Sequence, residues 1–388
     1  FNKTQEIGRK ENNPLPSKED NWIIRELMIC CADCFNDREV RAAIELVGNK
    51  GNCPICGKLD TWIYDSSLGE DVSSIEDMLV SILEIYVPKS ELPDTYPDND
   101  TKPIAERLCD EWDVFSGTPN QVVKIVKGVV EDSLFLSEKI LTEAVGIPQL
   151  FDEEYMLKNS IMGNHSWEEF KKSIRNVNRF HNDYVHLELL GEILTGAKIY
   201  IPAGDKFYRA RVSNEKGKLG FTRKEMWAPP DDVALPGRAN SKGQSCLYLS
   251  SKKKTTVKEI RAHAFDYVTI ATFRLIREIK ILDLCSITHN SPFYSNTDKI
   301  EYLVNEKILR AIENDLAKPM SRWDSDLDYL PTQYISDFAK FCGYDGVRYY
   351  STFDEDAYNI ALFDSSACTC TYHRNFLVGN LDYRLSAV

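Results

Sequence analysis

Apolar residues recur along the chain at two different spacings, and the change comes near residue 195. From residue 67 to residue 190 the spacing is helical, as with Val72, Leu79 and Leu83, which fall on one face of a helix. The helices that this spacing predicts are 72–87, 104–115, 121–130 and 167–181. We therefore expect a helical region over 67–190, with a boundary at 191–195.

Beyond the boundary the apolar runs become short and rich in β-branched and aromatic residues, which is typical of strands. The predicted strands are 198–201, 207–212, 246–249, 267–273, 279–284, 347–350 and 360–363, and the predicted helices are 257–265, 299–317 and 332–341. Because strands outnumber helices and do not alternate with them strictly, we expect an α+β fold with a mixed sheet over 191–388.

Composition narrows the class of protein. With 43% hydrophobic and 28% charged residues the chain is globular, and its net charge of −13 argues against a nucleic-acid partner. The sequence has no apolar run of the length that a membrane span needs, and residues 1–20 are polar. We expect a protein without a membrane span or a signal peptide, and a flexible lead-in at 1–20.

Eleven cysteines are an odd number, and five of them lie between residues 30 and 56, which favours a reduced, cytoplasmic protein. Four of the five form two C-x-x-C pairs, Cys31 with Cys34 and Cys53 with Cys56. Two such pairs at this separation predict a closed tetrahedral zinc site with a structural role, in a zinc-ribbon-like module at 21–66. Cys30 is an alternative to Cys31 as the ligand.

A polar loop between Gly237 and Gly243 is the strongest candidate for ligand chemistry. Arg238 offers a cation, Tyr248 on the next apolar run an aromatic face, and Glu259 a carboxylate further on. Such a set suits a nucleotide, which carries phosphates, a ring and ribose hydroxyls. The alternative for Glu259 is a capping box, in which Thr256 is the N-cap and the Glu259 side chain reaches back to it.

Several motifs in the second half of the chain resemble, in order, those of the RES domain family, over roughly residues 197–370. They are Tyr208-Arg209, Gly237-Arg238-Ala239-Asn240, Leu247-Tyr248-Leu249, Thr256 with Glu259, Leu330-Pro331-Thr332-Gln333, Tyr349 with Ser351, and the run Asn359 to Phe363. One departure is Ala239, where many members have an aromatic residue. The resemblance implies an ADP-ribosyltransferase-like fold, and the N-terminal module also resembles modules that precede RES and HEPN domains.

The resemblance also implies an activity, the destruction of NAD+ by cleavage of its nicotinamide–ribose bond. It implies that Glu259 stabilises positive charge on the ribose, and that Ser351 orients a hydroxyl, a phosphate or the acceptor, unless Ser351 only caps a turn. The other residues that the resemblance implicates are Arg238 as a catalytic cation, and Arg209, Arg211, Asn240 and Tyr248 as substrate contacts. Arg209 is the favoured arginine of its strand, with Arg211 as a salt-bridge partner.

The acceptor stays open at this point, since inorganic phosphate would make a phosphorylase and water a glycohydrolase. The resemblance to RES domains implies a bacterial toxin or antiphage defence effector, which an antitoxin or another regulatory protein restrains. Two alternatives belong to other classes. One is a HEPN-like ribonuclease using Arg175 and His181, and the other is a non-catalytic nucleotide-binding sensor.

Overall fold

The structure is a computed structural model that describes residues 27–130, 139–213, 217–287, 291–293, 298–318, 325–354 and 356–379. The predicted lead-in at 1–20 lies outside these residues. The described strands are β1 Ile29–Cys31, β2 Lys50–Gly51, β3 Thr61–Asp65, β4 Val87–Pro88, β5 Lys102–Pro103, β6 Ala144–Gly146, β7 Lys198–Ile201, β8 Lys206–Val212, β9 Leu247–Ser250, β10 Tyr267–Leu275, β11 Ile279–Asp283, β12 Gly346–Tyr350, β13 Tyr358–Leu362 and β14 Cys368–Leu377.

Helices form the larger part of the first half and flank the sheet in the second. They are α1 Arg38–Val47, α2 Ser73–Leu83, α3 Ile104–Glu111, α4 Pro119–Val130, α5 Lys139–Thr142, α6 Glu153–Asn159, α7 Trp167–Asn176, α8 Leu187–Gly196, α9 Lys253–Glu259, α10 Lys299–Ala317 and α11 Leu330–Phe341. Among the described residues, none of the helices has both the length and the apolar character that crossing a membrane requires.

The N-terminal part is a small antiparallel sheet in the order β1-β3-β2, with α1 packed beside it. Helix α1 begins at Asp37, whose carboxylate accepts from the backbone N–H groups of Glu39 and Val40. It ends at Gly48, whose φ of 77° favours glycine. A second small sheet, β4-β6-β5, lies in the helical region.

The C-terminal half is built on an eight-stranded mixed sheet in the order β14-β10-β8-β9-β13-β12-β11-β7. Only β11 and β12 pair in parallel; the other neighbours in this sheet are antiparallel. At its centre, β8 and β9 meet through one pair, Tyr208 with Ser250. The two strands therefore separate beyond that pair, and the sheet opens between them. The mixed α+β class that we predicted is confirmed.

Strand β13, inside the sheet, is buried on both faces, since alternate residues of a strand point to opposite sides. On β13, Ile360 and Leu362 belong to one apolar cluster and Ala361 to another. The cluster that contains Ala361 continues through the helical region to the N-terminal sheet. Helix α10 joins the two halves, since Trp112 stacks on Tyr302 with ring centres 5.4 Å apart. The division at 21–66, 67–190 and 191–388 stays a prediction.

Some predicted elements are wrong in their bounds. The helix expected at 257–265 runs from Lys253 to Glu259 instead, because Lys252 is its N-cap and Arg261, with φ of 51°, lies in the left-handed region beyond its end. The capping-box alternative for Glu259 is therefore wrong, since Glu259 closes the helix. The helix expected at 167–181 ends at Asn176. Helix α8 and strand β14 were not predicted.

Candidate functional site

A cavity of about 540 Å³ lies where β8 and β9 separate. Its lining comes from β8, β9, α9, the loop before β9, and the strands β12 and β13. The polar and aromatic lining residues are Tyr208, Arg209, Arg238, Tyr248, Thr256, Glu259, Arg261, Tyr329, Tyr349 and Asn359. The fold thus brings Glu259, Arg238, Arg209 and Tyr248 around one space, with three arginines and one carboxylate among its lining residues.

Glu259 is held rigidly at the end of α9. Its Oε1 accepts hydrogen bonds from Ser351 Oγ at 2.7 Å and from Asn359 Nδ2 at 2.7 Å, and both donors are buried. Because both bonds end on Oε1, the second carboxylate oxygen keeps its capacity to accept from a ligand. Ser351 Oγ also accepts from the backbone N–H of Phe353 at 3.3 Å, so Ser351 caps this turn as well as orienting Glu259.

Arg238 enters the cavity from the loop before β9. Its Nη1 donates to the backbone carbonyl of Leu316 at 3.1 Å, and its guanidinium lies 5.7 Å from the ring centre of Tyr349. Burial raises the pKa of Tyr349, and the nearby Arg238 charge opposes that rise. A guanidinium carries five N–H donors, so the remaining donors of Arg238 are available to an anionic ligand.

Asn240 is occupied within its own loop. Its Nδ2 donates to the carbonyls of Leu235, Ser241 and Gln244 at 2.9, 3.1 and 2.9 Å, and its Oδ1 accepts from the Tyr248 hydroxyl at 2.6 Å. The Asn240 amide therefore shapes the loop, and Asn240 does not line the cavity around Glu259. The Tyr248 ring does line that cavity, while its hydroxyl is used by the loop.

The loop also depends on Gly237 and Gln333. A Cβ on Gly237 would lie 2.5 Å from the Tyr248 hydroxyl oxygen, so only glycine fits there. Gln333 on α11 is buried, and its Nε2 donates to the carbonyls of Gly237 and Asn240, each at 2.9 Å. Its Oε1 accepts from Ser241 Oγ at 3.2 Å. Gln333 is thus a clamp on the loop that carries Arg238, and sequence reasoning gave it no such role.

We predict that Gln333→Met lowers the free energy of unfolding by about 1–3 kcal/mol, because the Gly237 carbonyl loses the Nε2 donor and the Asn240 carbonyl keeps only its bond from the backbone N–H of Gly237. Hydrogen exchange of the loop amides should also become faster than in the parent protein. Gln244→Met is the matched control, since among the described residues the Gln244 side chain makes no hydrogen bond. Equal exchange rates in Gln333→Met and Gln244→Met would show that the clamp has no influence on the loop.

Arg209 separates this cavity from a neighbouring one of about 640 Å³, since it lines both. Burial, and then the charge of Arg211, lowers the pKa of Arg209 to about 10. Arg209 Nη1 donates to the Tyr248 carbonyl at 3.2 Å, and its buried Nε has no partner among the described residues. A buried cation of this kind is stabilised by an anion.

Arg211 does not line the cavity around Glu259. It faces the neighbouring cavity, where its Nη1 donates to the carbonyl of Glu225 and its guanidinium lies 4.1 Å from the ring centre of Phe221. Arg209 and Arg211 were rival candidates because they alternate on β8, and their surroundings in the structure differ. Arg209 reaches the cavity, and Arg211 packs on the protein beside it.

The N-terminal cysteines form a cluster that could hold a metal ion. The four sulfur atoms of Cys31, Cys34, Cys53 and Cys56 lie within 4.8 Å of one another, and three of the sulfur–sulfur contacts measure 3.4 to 3.7 Å. A tetrahedron with metal–sulfur bonds of about 2.3 Å has edges of about 3.8 Å, so the cage fits four thiolates around one ion. Cys30 is buried outside the cluster, so Cys31 is the candidate ligand of the two.

The two residues of the ribonuclease alternative are placed apart from this cavity. Arg175 lies on α7 and forms an ion pair with Asp328. His181 lies beyond the end of α7, exposed, and its backbone N–H donates to Asn178 Oδ1 at 3.1 Å. The helix that was to carry both side chains ends before His181, so that part of the prediction is wrong.

Comparison with known proteins finds a family model that matches the second half of the chain. Residues 206–384 match the model of the RES domain, which confirms the resemblance for that range. A chain from the crystal structure of the M. tuberculosis MbcT–MbcA toxin–antitoxin complex is similar at 12% sequence identity, over 48% of this chain and 91% of that chain, with a TM-score of 0.31. Among curated proteins none matches the sequence. The matched range begins after the cysteine cluster, so the resemblance of the N-terminal module stays a prediction.

Proposed function

We propose that this chain is an NAD+-degrading enzyme that cleaves the nicotinamide–ribose bond in the cavity between β8 and β9. The observation that carries the proposal is the carboxylate of Glu259, fixed by Ser351 and Asn359 in a cavity that also contains Arg209 and Arg238. The match of residues 206–384 to the RES domain supports it. A volume of about 540 Å³ lies within the range of small-molecule sites, about 300–1,000 Å³.

The chemistry needs electrostatic stabilisation more than proton transfer. Nicotinamide leaves NAD+ as a neutral molecule, because the electron pair of the broken C–N bond neutralises its ring nitrogen. Positive charge develops on the ribose at the same time, as in glycoside cleavage. A fixed carboxylate beside the ribose stabilises this charge without having to reorganise. In our proposal Glu259 does so through the oxygen that Ser351 and Asn359 leave unused.

The arginines suit the other end of the substrate. The pyrophosphate of NAD+ carries two negative charges, and planar guanidinium groups bind phosphate oxygens in pairs. Arg238 keeps donors beyond the one that Leu316 uses, and the buried Nε of Arg209 lacks a partner among the described residues. We assign both to the pyrophosphate. Arg211 and Asn240 lie outside this cavity, so we assign them to supporting its surroundings, and we assign Tyr248 to the wall that the ribose or ring contacts.

The acceptor is tested together with the activity. We expect the purified protein to release nicotinamide from NAD+. Mass spectrometry of the second product then distinguishes the acceptors, because phosphate would add to the ribose carbon and water would give ADP-ribose and a proton. The reaction should be run with and without inorganic phosphate. Binding of NAD+ with no release of nicotinamide in either buffer would refute the proposal and support the non-catalytic sensor. The sequence feature that favours the sensor is Ala239, which stands where many RES domains have an aromatic residue.

For the cysteine cluster we propose zinc with a structural role. Four thiolates leave no open coordination position, so such an ion would fold the N-terminal module and take no part in the reaction. We propose further that the enzyme acts as a bacterial toxin or defence effector, with an antitoxin or regulatory protein as its partner. The support for that role is the RES domain match, and growth of expressing cells is its test.

A further inference from the structure

The last turn of α10 connects the helical region to Arg238. The carbonyl groups of a helix's last turn have no partner within the helix and carry the negative end of its dipole. In α10 the carbonyl of Asn314 accepts from the backbone N–H of Lys318 at 2.8 Å. The carbonyl of Leu316 accepts from Arg238 Nη1 at 3.1 Å. The C-terminal end of α10 is therefore one of the supports that fix the guanidinium of Arg238.

The same turn is held from the other side by α7. Asp315, next to Leu316, accepts from the indole N–H of Trp167 at 2.7 Å and from the ammonium of Lys171 at 3.0 Å, both on its Oδ2. Trp167 is buried, and Lys171 and Asp315 are each about three-quarters buried. Partly buried, charge-assisted hydrogen bonds are stronger than exposed ones, so they fix the position of the turn.

We propose that Trp167, Lys171 and Asp315 are positioning residues for Arg238, and that the helical region sets through them how tightly the cavity binds the anionic part of its ligand. The order of contacts is α7 to Asp315, Asp315 to the last turn of α10, and the Leu316 carbonyl to Arg238. A shift of α7 therefore moves an acceptor of the Arg238 guanidinium. A partner that binds the helical region would act on the site along this route. Only the identity of the ligand as NAD+ rests on the proposed function; the positioning of Arg238 does not.

The test compares the same Trp→Phe substitution at two residues that contact opposite ends of α10. Trp167→Phe removes the indole N–H that Asp315 accepts. Trp112→Phe is the matched control, because Trp112 is also buried, also donates an indole hydrogen bond, to Tyr86 at 2.9 Å, and stacks on Tyr302 in the first part of α10. We expect Trp167→Phe to raise KM for NAD+ roughly 5- to 10-fold with kcat changed less than about twofold. Trp112→Phe should leave both constants within about twofold of the parent.

A cycle with Arg238→Ala separates positioning from general loosening. If Trp167 acts through Arg238, the double variant should have the KM of Arg238→Ala, because the contact being positioned is already gone. A KM for the double variant that multiplies the two single effects would overturn the proposal. So would equal effects of Trp167→Phe and Trp112→Phe on KM, since both would then reflect lost stability.

Hydrogen exchange without any ligand keeps this inference distinct from the proposed function. Trp167→Phe should speed exchange of the amides at 235–243 about 5- to 10-fold more than Trp112→Phe does. If the parent protein releases no nicotinamide but this difference appears, the proposed activity fails and the positioning role stands. If the parent is active and neither exchange nor KM distinguishes the two variants, the positioning role fails and the activity stands.

Discussion

Glu259→Gln should reduce the release of nicotinamide from NAD+ by about 100- to 1,000-fold, with the fold intact. The amide keeps the shape of the carboxylate and an oxygen that can accept from Ser351 and Asn359, so the local hydrogen bonds survive. It lacks the negative charge that we assign to stabilising the ribose cation, and a single fixed electrostatic contact of this kind is worth about 100- to 1,000-fold. The measurement is kcat from nicotinamide release, with a thermal melt of each protein.

The matched control is Glu192→Gln, which neutralises an exposed glutamate on α8 that does not line the cavity. We expect it to keep the parent rate. Expression in bacteria should arrest growth for the parent and for Glu192→Gln, and not for Glu259→Gln. An unchanged kcat in folded Glu259→Gln would remove the carboxylate from the mechanism. Loss of RNA in cells expressing Glu259→Gln would instead favour the ribonuclease alternative.

Much of the fold could be predicted because its buried strands are rich in β-branched and aromatic residues. Strand β7 has the predicted bounds, and α10 does as well. This signal is lacking in β14, which was not predicted, and in α9, whose bounds were predicted wrongly. Strand β14 pairs along only one side in the sheet, and its exposed positions are mostly polar, so it resembles a loop in sequence. Helix α9 begins in a run of lysines and threonines, whose apolar content is too low to mark a start.

The candidate site was predictable as far as its side chains carry motifs, which brought Glu259, Arg238 and Ser351 into consideration before the fold. What could not be predicted is how they are held. Arg238 donates a hydrogen bond to the backbone carbonyl of Leu316. Every residue has a backbone carbonyl, so the sequence does not indicate which one a side chain will contact. Gln333 belongs to a recognised motif, but its two bonds to loop carbonyls depend on where α11 packs. Tertiary contacts of this kind follow from the fold.

Loss of one cysteine ligand should have the largest effect on stability. We expect Cys56→Ser to lose the bound metal and to lower the free energy of unfolding by about 4 kcal/mol or more, as the loss of a structural metal does. Cys56 is exposed, so the substitution removes little apolar packing of its own. Cys342→Ser is the control, since Cys342 is half-buried and lies outside the cluster.

We expect the loss of stability to extend beyond the small N-terminal sheet, because the two C-x-x-C segments are hydrogen-bonded to the helical region. The Cys34 carbonyl accepts from the backbone N–H of Ser116 at 3.0 Å, and the Ile55 carbonyl accepts from Gln121 Nε2, on α4, at 2.9 Å. If either C-x-x-C segment loosens, a hydrogen bond to the helical region is therefore lost as well. Metal analysis should give one zinc ion per parent chain, and a chelator should bring the parent's melting temperature down to that of Cys56→Ser. A parent protein that is purified folded without metal, and whose melting is unaffected by the chelator, would refute the zinc proposal.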